Sequence, residues 1–376
     1  MIFDYATLKV IWWCIVGGII VVFALTDGWD LGIGMLSPFI GKSDDERRII
    51  LRVIEANWEG NQTWLVIAGG VLFAAWPLVD AASFSGMYVA MLLVLFALFF
   101  RPVGFKYRNK VADLRWRRAW DWGLFIGGFV PALVFGIAFG NLLQGVPFHF
   151  DADLRAHYTG TFWQLLNPFA LLAGLISVAM LAMHGAAYLC LRVDGVIQAR
   201  AARTARIAAI VVVVAFAAAG IWVATGIDGY RITMIPDLNG QPNPLAKTVA
   251  KVPGAWLDNY SRFHWTLAAP LATFAGVFGV IVCVGLRRWS VTLVASAIAV
   301  AGVILTAGLS MFPFIMPSSS VPDSSLTAWD AVSSWRTLQI MFWVTVFFVP
   351  LIALYTGWVY AKLRGTITLE TIRSED

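Results

Sequence analysis

The sequence predicts an all-α membrane protein that crosses the bilayer nine times. Of its 376 residues, 60% are hydrophobic and only 13% are charged, and the mean hydropathy is +0.77. Soluble domains are about 45–50% apolar and about 25% charged, so this composition excludes an ordinary soluble protein. In such a chain, the net charge of +5 indicates basic loops at the membrane surface and not nucleic-acid binding.

Nine apolar segments are each long enough to cross a membrane, which takes roughly 20 residues. We expect the first of them to be retained as a helix, because it is long enough to span. A tight turn near residues 79–85 should join the second and third spans, and the fifth should tilt or run beyond the membrane. The predicted spans are 8–26, 63–83, 85–105, 121–143, 163–192, 205–227, 264–286, 290–312 and 336–361.

The distribution of Lys and Arg predicts the orientation of these spans. One set of loops, together with the C-terminal tail, carries 20 of the 27 basic residues, and the opposite set carries 7. By the positive-inside rule the N-terminus lies outside and the C-terminus lies in the cytoplasm. On the outer side, residues 228–263 are long enough for a small external cap, and residues 313–335 form a second loop without Lys or Arg.

Ionisable residues gather at one end of the first three spans. Asp27 and Asp30 follow the first apolar run, and their i, i+3 spacing puts them on one face if the helix continues. Glu59 begins the second span and Arg101 ends the third, so three acids and one arginine should converge on the cytoplasmic side. Such groups normally pair or line a hydrated path, which makes Arg101 the natural counter-charge. The alternative is that each residue only caps a helix end in the headgroup zone.

The histidines and cysteines do not indicate a metal or haem site. His184 lies near the middle of a span, and no two of the four histidines have ligand spacing, so we interpret His184 as a structural residue. Cys14, Cys190 and Cys283 all lie within apolar runs. Small buried hydrophobes are the better interpretation of these cysteines than a disulfide or metal framework.

Six long stretches resemble a known family. They run in order from about residue 2 to 365, and they resemble stretches of subunit II of the cytochrome bd-type quinol oxidases. The stretches are "FALTDGWDLGIGML", "NWEGNQTWLVIAGGVLFAAWP", "FSGMYVAMLLVLFALFFRPVGF", "WDWGLFIGGFVPALVFGIAFGNLLQGVPF", "TGTFWQLLNPFALLAG" and "LTAGLSMFPFIMPSSSVPDSSLTAWDAVSS".

The resemblance implies a nine-helix subunit of a respiratory complex in the bacterial inner membrane. Residues 1–150 and 151–313 would form two four-helix bundles, and 314–376 would hold an external loop, a peripheral ninth helix and a cytoplasmic tail. The partner would be a haem-bearing subunit I, with room for a small single-helix accessory subunit. Lipid would surround the complex, and no nucleic-acid partner is expected.

The resemblance also implies the activity of the complex. The family oxidises quinol, either ubiquinol or menaquinol, and reduces O2 to water with protons taken from the cytoplasm. Two haems b and one haem d belong to subunit I, so neither haem nor a catalytic residue is expected in this chain. Some members of the family hold a structural quinone in subunit II.

On this resemblance the acids and the arginine belong to a proton route into subunit I. The residues carried over are Asp27, Asp30, Glu59 and Arg101, with Trp58 beside them. Relatives have Asp in the motif W-D-G-N-Q, and this chain has Glu59 there, so the carboxylate is kept but reaches one methylene further.

Two other functions would also account for intramembrane acids. A secondary transporter couples ions through acids in broken helices, but such proteins place them near the midplane and show internal repeats. Here the acids gather at one end, and no residue-level repeat is visible. A purely structural subunit would hold the acids in interfacial pairs and only stabilise subunit I.

Overall fold

Long helices dominate the computed structural model, which describes residues 3–235 and 237–368. Within these residues, eight helices are long and apolar enough to cross a membrane, or nine if one bent pair is a single span. The predicted all-α membrane class is therefore confirmed, and the count of nine depends on that bent pair. The end of the predicted cytoplasmic tail, residues 369–376, lies outside the described residues, as do residues 1, 2 and 236.

Six helices make up the part of the chain before residue 145. The second of them is short and amphipathic, and a capping box between Ser43 and Glu46 fixes its start. The helices are α1 (Tyr5–Ile40), α2 (Asp44–Glu55), α3 (Trp58–Ala75), α4 (Pro77–Gly86), α5 (Tyr88–Tyr107) and α6 (Leu114–Gln144).

Six further helices follow: α7 (Pro168–Arg192), α8 (Gly195–Gly226), α9 (Asp258–Arg262), α10 (Ala268–Gly285), α11 (Trp289–Met311) and α12 (Trp335–Lys362). Helix α7 begins later than the predicted residue 163, because Pro168 takes the first helical position behind the Asn167 cap. Helix α8 begins well before the predicted residue 205, because its Ala- and Arg-rich first turns favour helix although they are polar.

The second predicted span is wrong as a single helix. It breaks at Trp76 into α3 and α4, whose axes differ by 119°. Pro77 has no N–H to donate, and Trp76 leaves the helical region with φ −132° and ψ 69°. The tight turn predicted near 79–85 is also wrong, because α4 occupies those positions and ends at Gly86.

Helix α1 lies at the centre of the fold. It packs against α3, α6, α7 and α11, and it runs through Asp27 and Asp30 without interruption, as the spacing argument required. Glycines allow the closest approach, between α1 and α7: a Cβ built on Gly185 would lie 2.8 Å from Gly32 Cα. Helix α12 is largely exposed, with only 6% of its most apolar stretch buried within the subunit.

The connections on the predicted outer side form a packed layer. Three two-stranded antiparallel sheets pair β1 (Phe148–Phe150) with β2 (Ala156–Tyr158), β3 (Asp228–Met234) with β4 (Thr248–Pro253), and β5 (Phe314–Met316) with β6 (Leu326–Thr327). A buried salt bridge of 3.1 Å joins Lys247 to Asp330. Burial lowers the pKa of Lys247 and raises the pKa of Asp330. Lys9 of α1 donates to the carbonyls of Leu238 and Trp329, at 2.8 and 2.7 Å, so both loops are tied to α1.

Candidate functional site

Asp27 and Arg101 form a buried, bidentate ion pair between α1 and α5. Arg101 Nη1 donates to Asp27 Oδ2 at 2.9 Å, and Nη2 donates to Oδ1 at 2.5 Å. The side chains are 0% and 3% exposed. Two parallel hydrogen bonds between a guanidinium and a carboxylate are among the strongest contacts that a protein makes. The prediction that Arg101 is the counter-charge of an acid is confirmed.

Asp30 lies one turn further along α1 and faces the same arginine. Its Oδ2 is 4.0 Å from Arg101 Nη2 and accepts a hydrogen bond of 2.7 Å from Asn61 of α3. Its buried Oδ1 makes no hydrogen bond with the described residues. The site therefore places two buried carboxyl groups beside one guanidinium, which leaves one more acid than base.

Aromatic side chains enclose the Asp30 side of this site. The ring of Trp29 stacks on Tyr188 of α7 at 4.3 Å and meets the ring of Tyr360 of α12 edge-on at 5.5 Å. The Tyr360 hydroxyl donates to Asn61 Oδ1. Asn61 thus connects Asp30 to the ninth predicted span through two hydrogen bonds.

Comparison with known proteins shows the family to which this chain belongs. The family model for cytochrome bd terminal oxidase subunit II matches residues 8–363. The chain belongs to this family. It is 53% identical over 369 residues to cytochrome bd-I ubiquinol oxidase subunit 2 of Escherichia coli K12, covering 98% of this chain and 97% of that protein. It is 48% identical over 366 residues to a probable cytochrome oxidase subunit 2 of Haemophilus influenzae, covering 97% and 96%.

A solved structure has the same fold as this subunit II. The bd oxidase of Geobacillus thermodenitrificans matches with a TM-score of 0.63 and 15% identity, over 95% of this chain and 99% of that one. Family membership and the apolar helices place this chain in the bacterial inner membrane as a multi-pass subunit of a respiratory oxidase.

Of the predicted site residues in this subunit II, Glu59 lies apart from the others. Trp58 joins the site, since its ring lies 5.7 Å from Arg101 Cζ. Glu59 is exposed in the first turn of α3 and makes no salt bridge with Arg101 or any other described residue. The expected convergence of three acids therefore holds for Asp27 and Asp30, while Glu59 lies at the surface, two residues before Asn61.

The nitrogens of His184 are engaged within the subunit. Nδ1 lies 2.8 Å from Ser296 Oγ, and Nε2 lies 3.0 Å from the carbonyl of Leu25. This supports the interpretation of His184 as a structural residue. Across residues 3–235 and 237–368, no group of three or more His, Cys, Asp or Glu side chains could hold a metal ion.

One pair of histidines was missed by sequence analysis. His149 and His157 face each other across the β1–β2 hairpin, with their rings 5.3 Å apart.

A second charged cluster was also missed, at the ends of α2, α5 and α6. Arg108 is buried and donates to Asp121 at 2.5 Å and to Asp44 at 2.8 Å. Arg117 donates to Asp44 at 2.5 Å, and Arg47 donates to Asp121 at 2.9 Å. The basic loop 101–118 carried the signal in the sequence, but one of its acidic partners, Asp44, comes from a distant segment.

A large apolar cavity of about 790 Å³ lies among α1, α3 and α6 to α11. Its walls include Phe135, Phe216 and Phe274. The Tyr260 hydroxyl, 2.7 Å from Ser310 Oγ, is one of the few polar groups in its lining.

Proposed function

We propose that this subunit II contributes a cytoplasmic proton-uptake route to a bd-type quinol oxidase, which oxidises quinol and reduces O2 to water. The observation that carries the proposal is the pair of buried acids, Asp27 and Asp30, beside the single cation Arg101. A buried charge is costly unless it is paired. Both Nη groups of Arg101 donate to Asp27, so the carboxylate of Asp30 lacks a counter-ion of its own. Binding of one proton to Asp30 would remove the excess negative charge.

The contacts of Asp30 suit a group that exchanges its proton. Its Oδ1 is buried and forms no hydrogen bond of good geometry with the described residues; the indole N–H of the neighbouring Trp29 interacts with this carboxyl group but is itself not fully satisfied. Buried polar atoms are normally satisfied by protein or by ordered water. A hydrated path reaching Asp30 would satisfy these atoms and deliver protons at the same time.

In this proposal Glu59 is the entry to the route. It is exposed at the start of α3, on the predicted cytoplasmic side, to which the sequence assigns 20 of the 27 Lys and Arg residues. From Glu59, the polar side chains of α3 lead inward: Asn61 contacts Asp30, and Gln62 Oε1 lies 3.4 Å from Arg101 Nη1. An exposed carboxylate collects protons from water, and the buried pair passes them towards the partner.

Haem catalysis would take place in the partner, a subunit I with two haems b and one haem d. In this chain both nitrogens of the buried His184 are engaged by Ser296 and by the carbonyl of Leu25. We expect the chain expressed alone to bind no stoichiometric haem, which an absorption spectrum of the purified subunit would test. A pure, stable preparation with a bis-ligated haem spectrum would contradict this placement.

The proton route is tested by turnover of the assembled complex. Asp30→Asn keeps the shape and loses the titratable proton, so quinol-driven O2 consumption per haem should fall several-fold while the haem spectrum is retained. Asp30→Glu should recover part of the rate, since a carboxyl group remains. Glu59→Gln should lower turnover less, and most at alkaline pH, because water offers a bypass to an exposed entry.

The matched control is Asp80→Asn in α4, outside this site, which should leave turnover unchanged. Wild-type turnover of Asp30→Asn across the pH range would show that the acids serve only as structural pairs. The purely structural role of this subunit would then be the better account.

We also propose the architecture that the family resemblance implies. Residues 1–150 and 151–313 would form two four-helix bundles, with α12 as a peripheral helix, the N-terminus outside and the C-terminus in the cytoplasm. Close packing within the helix pairs α7–α8 and α10–α11 supports a second bundle, and the equally close contacts of α1 and α6 with α7 would form the interface between the two bundles. The exposed α12 supports a peripheral position for the last helix.

The apolar cavity fits a structural quinone. Its lining is almost wholly apolar, as an isoprenoid tail requires, and Tyr260 and Ser310 supply hydroxyl groups for a ring oxygen. Gly220 lines the cavity, and a Cβ added at this position would have no neighbour within 4 Å. The larger side chain of Gly220→Trp should therefore obstruct the cavity and lower the quinone content of the purified complex. Gly17→Trp, at a similarly open position outside the cavity, is the control. Equal quinone content in both variants would contradict this site.

A further inference from the structure

A basic cavity lies at the end of α5, beside the charged cluster of Arg108. It has a volume of about 560 Å³ and is bounded by α2, the last turn of α5, the turn after it, and the start of α6. One carboxylate, Glu55, faces it, along with the apolar side chains of Leu51 and Phe105. The cationic side chains in its lining are Arg48, Arg52, Lys106, Arg108, Lys110 and Arg117.

The arginines in this cavity are fixed in place by acids. Asp44 and Asp121 hold Arg108, and Asp44 also holds Arg117 at 2.5 Å. Glu55 pairs with Arg52 at 3.0 Å. Asp121 also pairs with Arg47. These ion pairs organise the geometry of the cavity before any ligand arrives.

Lys106 and Lys110 give the cavity positive charge that Asp44, Asp121 and Glu55 do not pair with. Both are exposed, and neither forms a salt bridge with residues 3–235 or 237–368. One to two turns earlier on α5, Phe99, Phe100 and Val103 are exposed apolar residues of a membrane-spanning segment. A ligand with an anionic head and apolar chains would meet the lysines and these residues together.

We propose that this cavity binds a phosphate-bearing anion, the headgroup of an anionic phospholipid whose acyl chains lie along α5. Basic pockets at the ends of membrane helices bind such headgroups through the charge of Lys and Arg. Inorganic phosphate shares the chemistry of the headgroup but lacks the chains, so the two sources can be separated by experiment. This proposal is independent of the proton route.

The test uses the complete delipidated complex in detergent. Phosphatidylglycerol should give a one-to-one adduct by native mass spectrometry and raise the thermal midpoint, whereas phosphatidylcholine should do neither. The double variant Lys106→Gln, Lys110→Gln should bind phosphatidylglycerol roughly 30-fold more weakly, by the usual contribution of two basic side chains near an anionic headgroup. Added salt should weaken the wild-type complex more than the variant.

The control variant is Arg287→Gln, Arg288→Gln, which removes two exposed cations from the loop between α10 and α11. It should bind the lipid as the wild type does. If inorganic phosphate raised the thermal midpoint as much as phosphatidylglycerol does, the cavity would be a site for a free phosphate-bearing anion and not for a lipid. Equal binding of phosphatidylglycerol by the wild type and the lysine variant, with phosphate inert, would overturn the proposal.

Discussion

Arg101 of α5 and Asp27 of α1 meet fork to fork, with Nη–Oδ distances of 2.5 and 2.9 Å, inside the membrane-spanning part of the molecule. Two ions in a low-dielectric interior repay their desolvation only when the geometry is this good. The pair therefore fixes α5 against α1 and sets where the neighbouring Asp30 stands relative to the same guanidinium.

Breaking this ion pair from its two sides should have non-additive effects on stability. Asp27→Asn leaves Arg101 uncompensated except by Asp30, and Arg101→Gln leaves two buried acids without a cation. Loss of one partner of a buried pair costs about 3–5 kcal/mol. We expect each single variant to lower the thermal midpoint of the purified complex, and the double variant to be less destabilised than the two effects added together. Asp45→Asn, an exposed acid on α2, is the control. Additive midpoints would show that the two side chains do not depend on each other.

The contact of α1 with α7 gives a second prediction. A Cβ on Gly32 would overlap the carbonyl oxygen of Leu181, and one on Gly185 would lie 2.8 Å from Gly32 Cα. Backbone cannot yield as a flexible side chain does, so Gly32→Ala should cost about 1–3 kcal/mol and lower the yield of assembled complex. Gly17→Ala on the same helix, with nothing within 4 Å, should be tolerated. Equal yields and midpoints for the two variants would contradict the close packing.

The sequence predicted the helices best where an apolar run is continuous. The i, i+3 spacing of Asp27 and Asp30 and the position of Arg101 correctly predicted one face and one counter-charge. The break at Trp76 was missed because prolines are tolerated within membrane helices, and hydropathy does not register a bend. Hydropathy also does not separate the polar start of α8 from a loop.

The parts of the site that sequence reasoning missed come from distant segments. Tyr360 reaches Asn61 from a helix almost 300 residues later, and a tyrosine near the end of a span looks like any interfacial aromatic. The pairing of Arg108 with Asp44 and Asp121 depends on how α2 folds back over α5 and α6. Glu59 was grouped with the other acids because it starts a span, but its helical phase points it outward.

The charged cluster around Arg108 predicts how stability depends on pH. Burial acts to raise the pKa of Asp44, but the charge of Arg108 and hydrogen bonds from Arg117 and Arg108 outweigh it, so this pKa lies below its usual 3.8. A carboxyl group with a lowered pKa stabilises the fold above its unfolded pKa, and this contribution is lost as the pH falls through the folded value.

Asp44→Asn should therefore lower the thermal midpoint at pH 7, at a cost of roughly 1 kcal/mol for a partly exposed pair. The difference between variant and wild type should shrink as the pH falls below about 3.8 and disappear once the pH is below the lowered pKa of Asp44 in the folded protein. The neighbouring Asp45→Asn controls for the loss of one negative charge on the same turn of α2. A difference that persists unchanged below this pH would rule out ionisation of Asp44 as its cause.

The orientation of the subunit gives the last prediction. The 20-to-7 distribution of Lys and Arg predicts that the N-terminus and the loop 228–263 lie outside. Two of the seven basic residues on that side are engaged within the protein, which strengthens the charge difference between the two sides. Lys247 is neutralised by Asp330, and the buried Lys9 donates to two carbonyls. In a chain without its native cysteines, an impermeant maleimide should label Gln241→Cys, an exposed position of that loop, in intact cells. Asp45→Cys, exposed on α2, should react only after the membrane is made permeable. The reverse pattern would invert the topology and place Glu59 on the side away from the cytoplasm, which would remove the proposed entry of protons.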